Sequence, residues 1–126
     1  MIARAATCDR FLHLAFIIIN KNMDISVLDK IKKVLLLSLP KDGKAVLYGS
    51  QARGDNRHDS DWDILVVVDK ERLHPEDYDA ITYPLTKLGW DLNVEINPIM
   101  YTKQEWAAQR CTPFYHNVQQ DGIALA

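Results

Sequence analysis

From Met23 onward the apolar positions change period along the chain, and each change marks an element. In "DISVLDKIKKVLLLSL" Ile25, Leu28, Ile31, Val34 and Leu35 recur at helical spacing, with Ser26 and Asp29 as a capping-box pair. Pro40 and the "KDGK" turn end that helix. "AVLYG" (Ala45 to Gly49) predicts a short buried strand. "WDILVVV" (Trp62 to Val68) predicts a second, apolar on both faces as a central strand covered by helices would be. "HPEDYDAITYPLTKLG" predicts a helix from Pro75 to Leu88, kinked at Pro84 and closed by Gly89. "NVEINPIMYT" predicts a third strand, interrupted or bulged near Pro98. Thr102 and Glu105 stand at capping-box spacing before "WAAQR", and "PFYHNVQQDG" is a last short helix closed by Gly122. The order helix, strand, turn, strand, helix, strand, helix describes a single α/β or α+β domain.

Length and composition narrow the class. A chain of 126 residues has room for one core and no second domain. With 48% hydrophobic and 25% charged residues it reads as globular, and a net charge of −2 supplies no basic footprint for a nucleic-acid backbone. Cys8 and Cys111 are far apart and form no C-x-x-C pair, so they read as reduced thiols of a cytoplasmic protein. The N-terminal "MIARAATCDRFLHLAFIII" places Arg4 and Arg10 near an apolar run, Phe11 to Ile19, which is shorter than the roughly 20 residues a membrane helix needs. "NKNMD" follows where a signal peptide would have small residues, so residues 1–22 read as an extension of a domain spanning 23–126, or as sequence upstream of a start at Met23.

The chemistry concentrates in "GSQARGDNRHDSDWDI", Gly49 to Ile64. Gly49 and Gly54 have the separation of a P-loop, but Asp55 and Asn56 stand where its Lys and Ser/Thr belong. Asp59, Asp61 and Asp63 have the spacing of the first EF-hand ligands. Ile64 replaces the turn glycine and Lys70 the bidentate glutamate, so that reading fails too. Neither H-E-x-x-H nor G-x-S-x-G occurs. A geometric reading survives. A strand ending at Gly49 and a helix opening at Ser50 let backbone and hydroxyl approach a phosphate, with Arg53 one turn on. Asp61 and Asp63, two apart at a strand start, point to one face and repel unless a cation lies between them. Mg²⁺ suits one or two carboxylates plus phosphate oxygens. Glu95, between Val94 and Ile96, offers a third acid for a two-metal clamp, with Asp91 as the fallback. Each feature alone reads more blandly, as a capped turn, a solvated strand end and an outward acid. Trp62 reads as core, His58 and Asp59 as loop, and His74 and His116 as surface or capping residues. Tyr101, Trp106, Phe114 and Tyr115 suggest an aromatic cluster, either core or partner surface.

"GSQARGDNRHDSDWDILVVV" resembles the signature of the minimal nucleotidyltransferases of the DNA polymerase β superfamily. Gly49, Ser50, Ala52, Arg53, Gly54, Ser60, Asp61 and Asp63 each meet its pattern. "TPFYHNVQQDGI" is similar to the closing helix of the same small proteins, while residues 1–22 lie outside the resemblance. The resemblance implies a polymerase-β-like fold with a small mixed sheet and helices packed on it. It implies a triphosphate gripped by Gly49 and Ser50, and metal on Asp61 and Asp63. Glu95 would be the later acid that binds metal or activates the attacking hydroxyl, glutamate standing where aspartate is more usual.

Three functions follow. The first is transfer of a nucleoside monophosphate, AMP from ATP, to a hydroxyl acceptor with release of pyrophosphate. Two Mg²⁺ ions, or Mn²⁺ in their place, would serve it. The second is an antitoxin that neutralises a HEPN-domain toxin by forming a complex; family members are often the smaller half of such pairs, and some AMPylate the toxin. The third and weakest is modification of a small molecule of the aminoglycoside kind, because such enzymes carry an acceptor domain for which this chain has no room. A minimal core would borrow its acceptor surface from a partner or a second copy of itself.

Overall fold

The computed structural model describes residues 23–126 apart from Asn56, His58 and Asp59. The expected N-terminal extension, Cys8 and the loop assignment of His58 and Asp59 lie outside the described residues. Helix α1 (Ile25–Ser38) leads into β1 (Lys44–Tyr48), the single turn α2 (Ser50–Arg53) and β2 (Trp62–Val68). A crossover follows, made of α3 (Pro75–Asp77), a π-helical turn (Tyr78–Thr82) and α4 (Tyr83–Leu92). Then come β3 (Ile96–Thr102), α5 (Lys103–Ala108), α6 (Pro113–Asp121) and β4 (Ile123–Ala124). The sheet order is β3-β2-β1-β4: β1 is antiparallel to both neighbours, and β2 and β3 are parallel. This is the small mixed sheet with packed helices that the resemblance implied.

Several boundaries fall elsewhere than periodicity placed them. Asp24, not Ser26, caps α1, its Oδ1 accepting from the Ser26 and Val27 amides at 3.0 and 3.2 Å. Gly89 does not close the crossover helix, which runs on to Leu92 and ends on Asn93 at φ 57°. Gly89 instead lets α4 approach the entry to β3, since a Cβ there would stand 2.8 Å from the Val94 carbonyl oxygen. The irregularity expected at Pro84 falls in the π turn just before it, where the missing proline N–H disturbs the helical ladder. The third strand starts at Ile96, three residues later than expected, and pairs without a break through Pro98. A proline is tolerated there because β3 is an edge strand. Strand β4, two residues long, was too short for periodicity to reveal.

Alternation divides the sheet into two unlike faces. Ala45, Leu47, Ile64, Val66 and Val68 point into the larger core, where Leu28, Ile31 and Leu35 of α1 and Leu85 of α4 bury against them. Leu65 and Val67 point the other way, into a smaller cluster with Val118, Ile99, Trp106 and Phe114. The expected aromatic cluster is here: Trp106 packs on Tyr101, Phe114 and Tyr115 with ring centroids 5.6, 5.6 and 4.7 Å away. Tyr48 joins through Phe114 at 5.3 Å. Trp62 is core, His74 caps α3, and His116 is exposed on α6.

Candidate active site

Asp61 and Asp63 lie at the start of β2 on the face of Leu65 and Val67. Asp61 is exposed and Asp63 half-buried. Antiparallel register sets Tyr48 opposite Asp63, and Gly49 follows directly. Gly49 sits at φ 78° and ψ −159°, a backbone shape that side chains rarely adopt. A Cβ there would stand 2.5 Å from the Asp63 Oδ2. The glycine is therefore demanded twice, by its dihedral and by the carboxylate against it.

Ser50 then opens α2, and its N-cap residue, Gly49, has no side chain with which to cap that turn. Gly54 closes it at φ 85°. Arg53 emerges on the exposed side with its Nε 3.2 Å from an Asp55 carboxylate oxygen.

Parallel register sets Asn97 opposite Asp63. Its Nδ2 donates to Asp61 Oδ2 at 3.1 Å and to Asp63 Oδ1 at a long 3.5 Å. Two carboxylates on one face repel, and the amide dipole offsets part of that. Burial pushes the Asp63 carboxyl above the ordinary range, the Asn97 hydrogen bond pulls it back, Asp61 raises it, and Arg53 lowers it. Tyr48 is pushed up to about 12, first by burial and then by the charge of Asp63 and by Tyr101, so its phenol stays neutral beside the acids.

Glu95 precedes β3 by one residue, and its carbonyl accepts from the Trp62 amide at 2.8 Å. Continuing the parallel register places it beside Asp61, and the two carboxylates border one cleft. Among the described residues no three Asp, Glu, His or Cys side chains gather closely enough to hold one ion. The structure thus brings Asp61 and Asp63 together through Asn97, sets Glu95 beside Asp61, and draws Asp91 away to Lys87 at 3.3 Å on the surface of α4. Sequence reasoning missed Asn97, because its partnership depends on which strands pair and in what register. The two strand-end carboxylates are hard oxygen donors that fit a divalent cation such as Mg²⁺, whereas Asn97 turns its N–H group toward them and is no ligand in this arrangement.

A mixed sheet with paired carboxylates beside a Gly-Ser turn is an arrangement able to serve metal-assisted phosphoryl chemistry, and likeness to known proteins gives the class. Residues 28–115 match the nucleotidyltransferase domain family, and the chain belongs to it. It is 35% identical over 82 residues to "Putative protein adenylyltransferase MJ0604" of Methanocaldococcus jannaschii, covering 65% of this chain and 76% of that protein. Two solved structures share the fold. One is a toxin-antitoxin crystal structure with AMP-PNP (24% identity, TM-score 0.54); the other is a mutant of the toxin-antitoxin MntA-HpeT (20%, 0.56). Each covers 79% of this chain, which spans 72% of theirs. The resemblance read from the signature is borne out at the level of the family: the chain is a nucleotidyltransferase. No helix among the described residues is long and apolar enough to cross a membrane.

Proposed function

We propose that this nucleotidyltransferase transfers AMP from ATP to a hydroxyl on a protein partner, with Asp61, Asp63 and Glu95 at the reacting end and Gly49, Ser50 and Arg53 at the phosphates. The carrying observation is Gly49, whose positive φ and missing Cβ make room for the Asp63 carboxylate beside a turn whose N-cap residue carries no side chain. The name of the Methanocaldococcus relative and the AMP-PNP in a neighbour's crystal support the adenylyl donor.

The uncapped turn and the Ser50 hydroxyl bind phosphate oxygens. Arg53 leaves Asp55 to do the same, at little cost because that pair is exposed. Asp61 and Asp63 would hold Mg²⁺, two ions in a full clamp, and the metal would supply positive charge against the transferred phosphoryl group. Glu95 accepts the proton of the acceptor hydroxyl as its oxygen attacks the α-phosphorus. The bond to the bridging oxygen breaks, and pyrophosphate leaves with those electrons. The protein works in the cytoplasm, and its acceptor surface comes from a HEPN-domain partner or a second copy.

A second reading keeps the nucleotide and drops the chemistry: an antitoxin that acts by forming a complex. It is favoured by the dispersal of Glu95 from Asp63 and by the toxin-antitoxin neighbours. The deciding experiment incubates the protein and candidate partner with radiolabelled ATP. AMP incorporation and pyrophosphate release that vanish in EDTA and in Asp61→Asn support transfer. ATP binding equally tight in EDTA removes the metal role from the aspartates. Metal-dependent ATP binding without incorporation favours the antitoxin.

A further inference from the structure

Behind the acid pair, where α1 begins and α4 ends, the start of the sheet opens into a cleft of about 600 Å³. Asp61 and Glu95 border it, whereas Gly49, Ser50, Arg53 and Asp63 do not. Of the phosphate-holding turn only the buried Gln51 reaches this second space, so the cleft adjoins that turn from behind.

The cleft has a definite chemistry. Three acidic residues line it, Asp61, Glu95 and Asp24 (whose carboxylate also caps α1), and no lysine or arginine is among the described residues that line it. Val27 and Leu92 supply apolar wall, and Trp90 lies on the rim with 67% of its surface exposed. Gln51 lines it too, 3% exposed. Its Nε2 donates to the Ser60 carbonyl at 3.1 Å, and its buried Oε1 has no hydrogen-bond partner among the described residues. An acceptor left unpaired in a buried position costs free energy that an incoming donor would recover. The negative wall repels phosphate, so the occupant is not the triphosphate. What matches is a cation with N–H donors on an apolar stem, able to lie against Trp90.

We propose that this cleft binds an alkylammonium group, the amine-bearing end of the acceptor, and so holds the acceptor hydroxyl on the Asp61–Glu95 side of the site. The role of that hydroxyl rests on the nucleotidyl-transfer reading; the ammonium site rests on the cleft alone. Two sources carry this chemistry: a lysine side chain of the acceptor itself, and a free polyamine, which has no hydroxyl to receive AMP and would occupy the cleft beside the acceptor.

Isothermal titration calorimetry on the full chain in EDTA tests it. The probes are spermidine, Nα-acetyl-lysine amide and the uncharged 1,6-hexanediol. At least one ammonium probe is expected to bind about tenfold or more tighter than the diol, the scale of a charge-assisted hydrogen bond. Gln51→Met and Trp90→Ala should each weaken that binding by about tenfold. A thermal melt checks folding; should the buried Gln51→Met fail to fold, the rim variant Trp90→Ala decides. Binding of spermidine alone identifies a small polyamine, and binding of the lysine amide alone a protein side chain. Binding of both supports the shared chemistry. Equal affinity for the diol, no binding of either amine, or affinity unchanged in the folded variants overturns the proposal. A separate titration with ATP and Mg²⁺ keeps the two readings apart. Nucleotide binding without amine binding sinks only the cleft, and amine binding without nucleotide binding sinks only the transfer reading.

Discussion

On one face of the sheet Ile64, Val66 and Val68 have no accessible surface beneath α1 and α4; on the other, Leu65 and Val67 are covered but Asp63, one step nearer the strand start, is only half-buried. The difference is one of cover. The 14 residues of α1 span about 21 Å at 1.5 Å each, close to the roughly 23 Å of the seven-residue β2. The six residues of α5 span about 9 Å. The short helices and their aromatic cluster protect the far end of β2 and leave its beginning open. Carboxylates survive there because water and an amide still reach them. The closed face thus carries stability and the open face carries chemistry, and substitutions on the two should separate those properties.

The largest loss of stability belongs to the closed face. Leu85→Ala removes a fully buried side chain between α4 and the sheet, and about 2–5 kcal/mol should be lost, read as a lower denaturant midpoint. Wild-type transfer by the molecules still folded would locate its effect in the core alone.

Gly49→Ala comes next and breaks the division, because the glycine belongs to both faces' accounts. The positive φ and the Asp63 oxygen in the path of a Cβ should cost about 1–3 kcal/mol, and ATP binding should fall with stability. Unchanged binding and stability would show that the turn has room to relax.

Asp63→Asn inverts the pattern, with transfer lost and stability slightly gained. The sign follows from the raised carboxyl. A folded state that holds the proton more tightly than the unfolded chain is favoured most below the ordinary carboxylate range. That advantage is lost as pH rises through the folded value. The wild type therefore forgoes stability at neutral pH that the asparagine variant keeps. The gap between their melting temperatures should close as pH falls below about 4. Asp77 supplies the opposite sign. The Lys70 hydrogen bond at 2.5 Å and the His74 amide hold its carboxyl below the ordinary range, so its contribution is present above that range and lost as pH falls through the folded value. Asp77→Asn should narrow its deficit in acid.

The smallest effect on stability is expected from Glu95→Gln, an exposed change of one charge. Retained ATP binding with reduced transfer would assign Glu95 to the acceptor hydroxyl. Full transfer would remove Glu95 from the proton-accepting role.

The chain by itself carried the class of fold and the two ends of the site. Continuous apolar residues in Trp62–Val68 meant a strand covered on both sides, and the Gly-Ser and Asp-x-Asp signatures are local, spanning only Gly49 to Asp63. Local patterns survive in sequence because each depends on near neighbours: a dihedral only glycine takes, a two-residue period, a capping box such as Thr102 with Glu105. What required the tertiary structure was every relation across the ladder. Parallel pairing of β2 and β3 set Asn97, and no acid, opposite Asp63. The same pairing put Glu95 beside Asp61, and the close pass of α4 over β3 turned Gly89 from a helix terminator into a packing residue. Register and helix approach are fixed by burial summed over the whole core, including contacts between residues distant in the chain, and no short stretch encodes that sum.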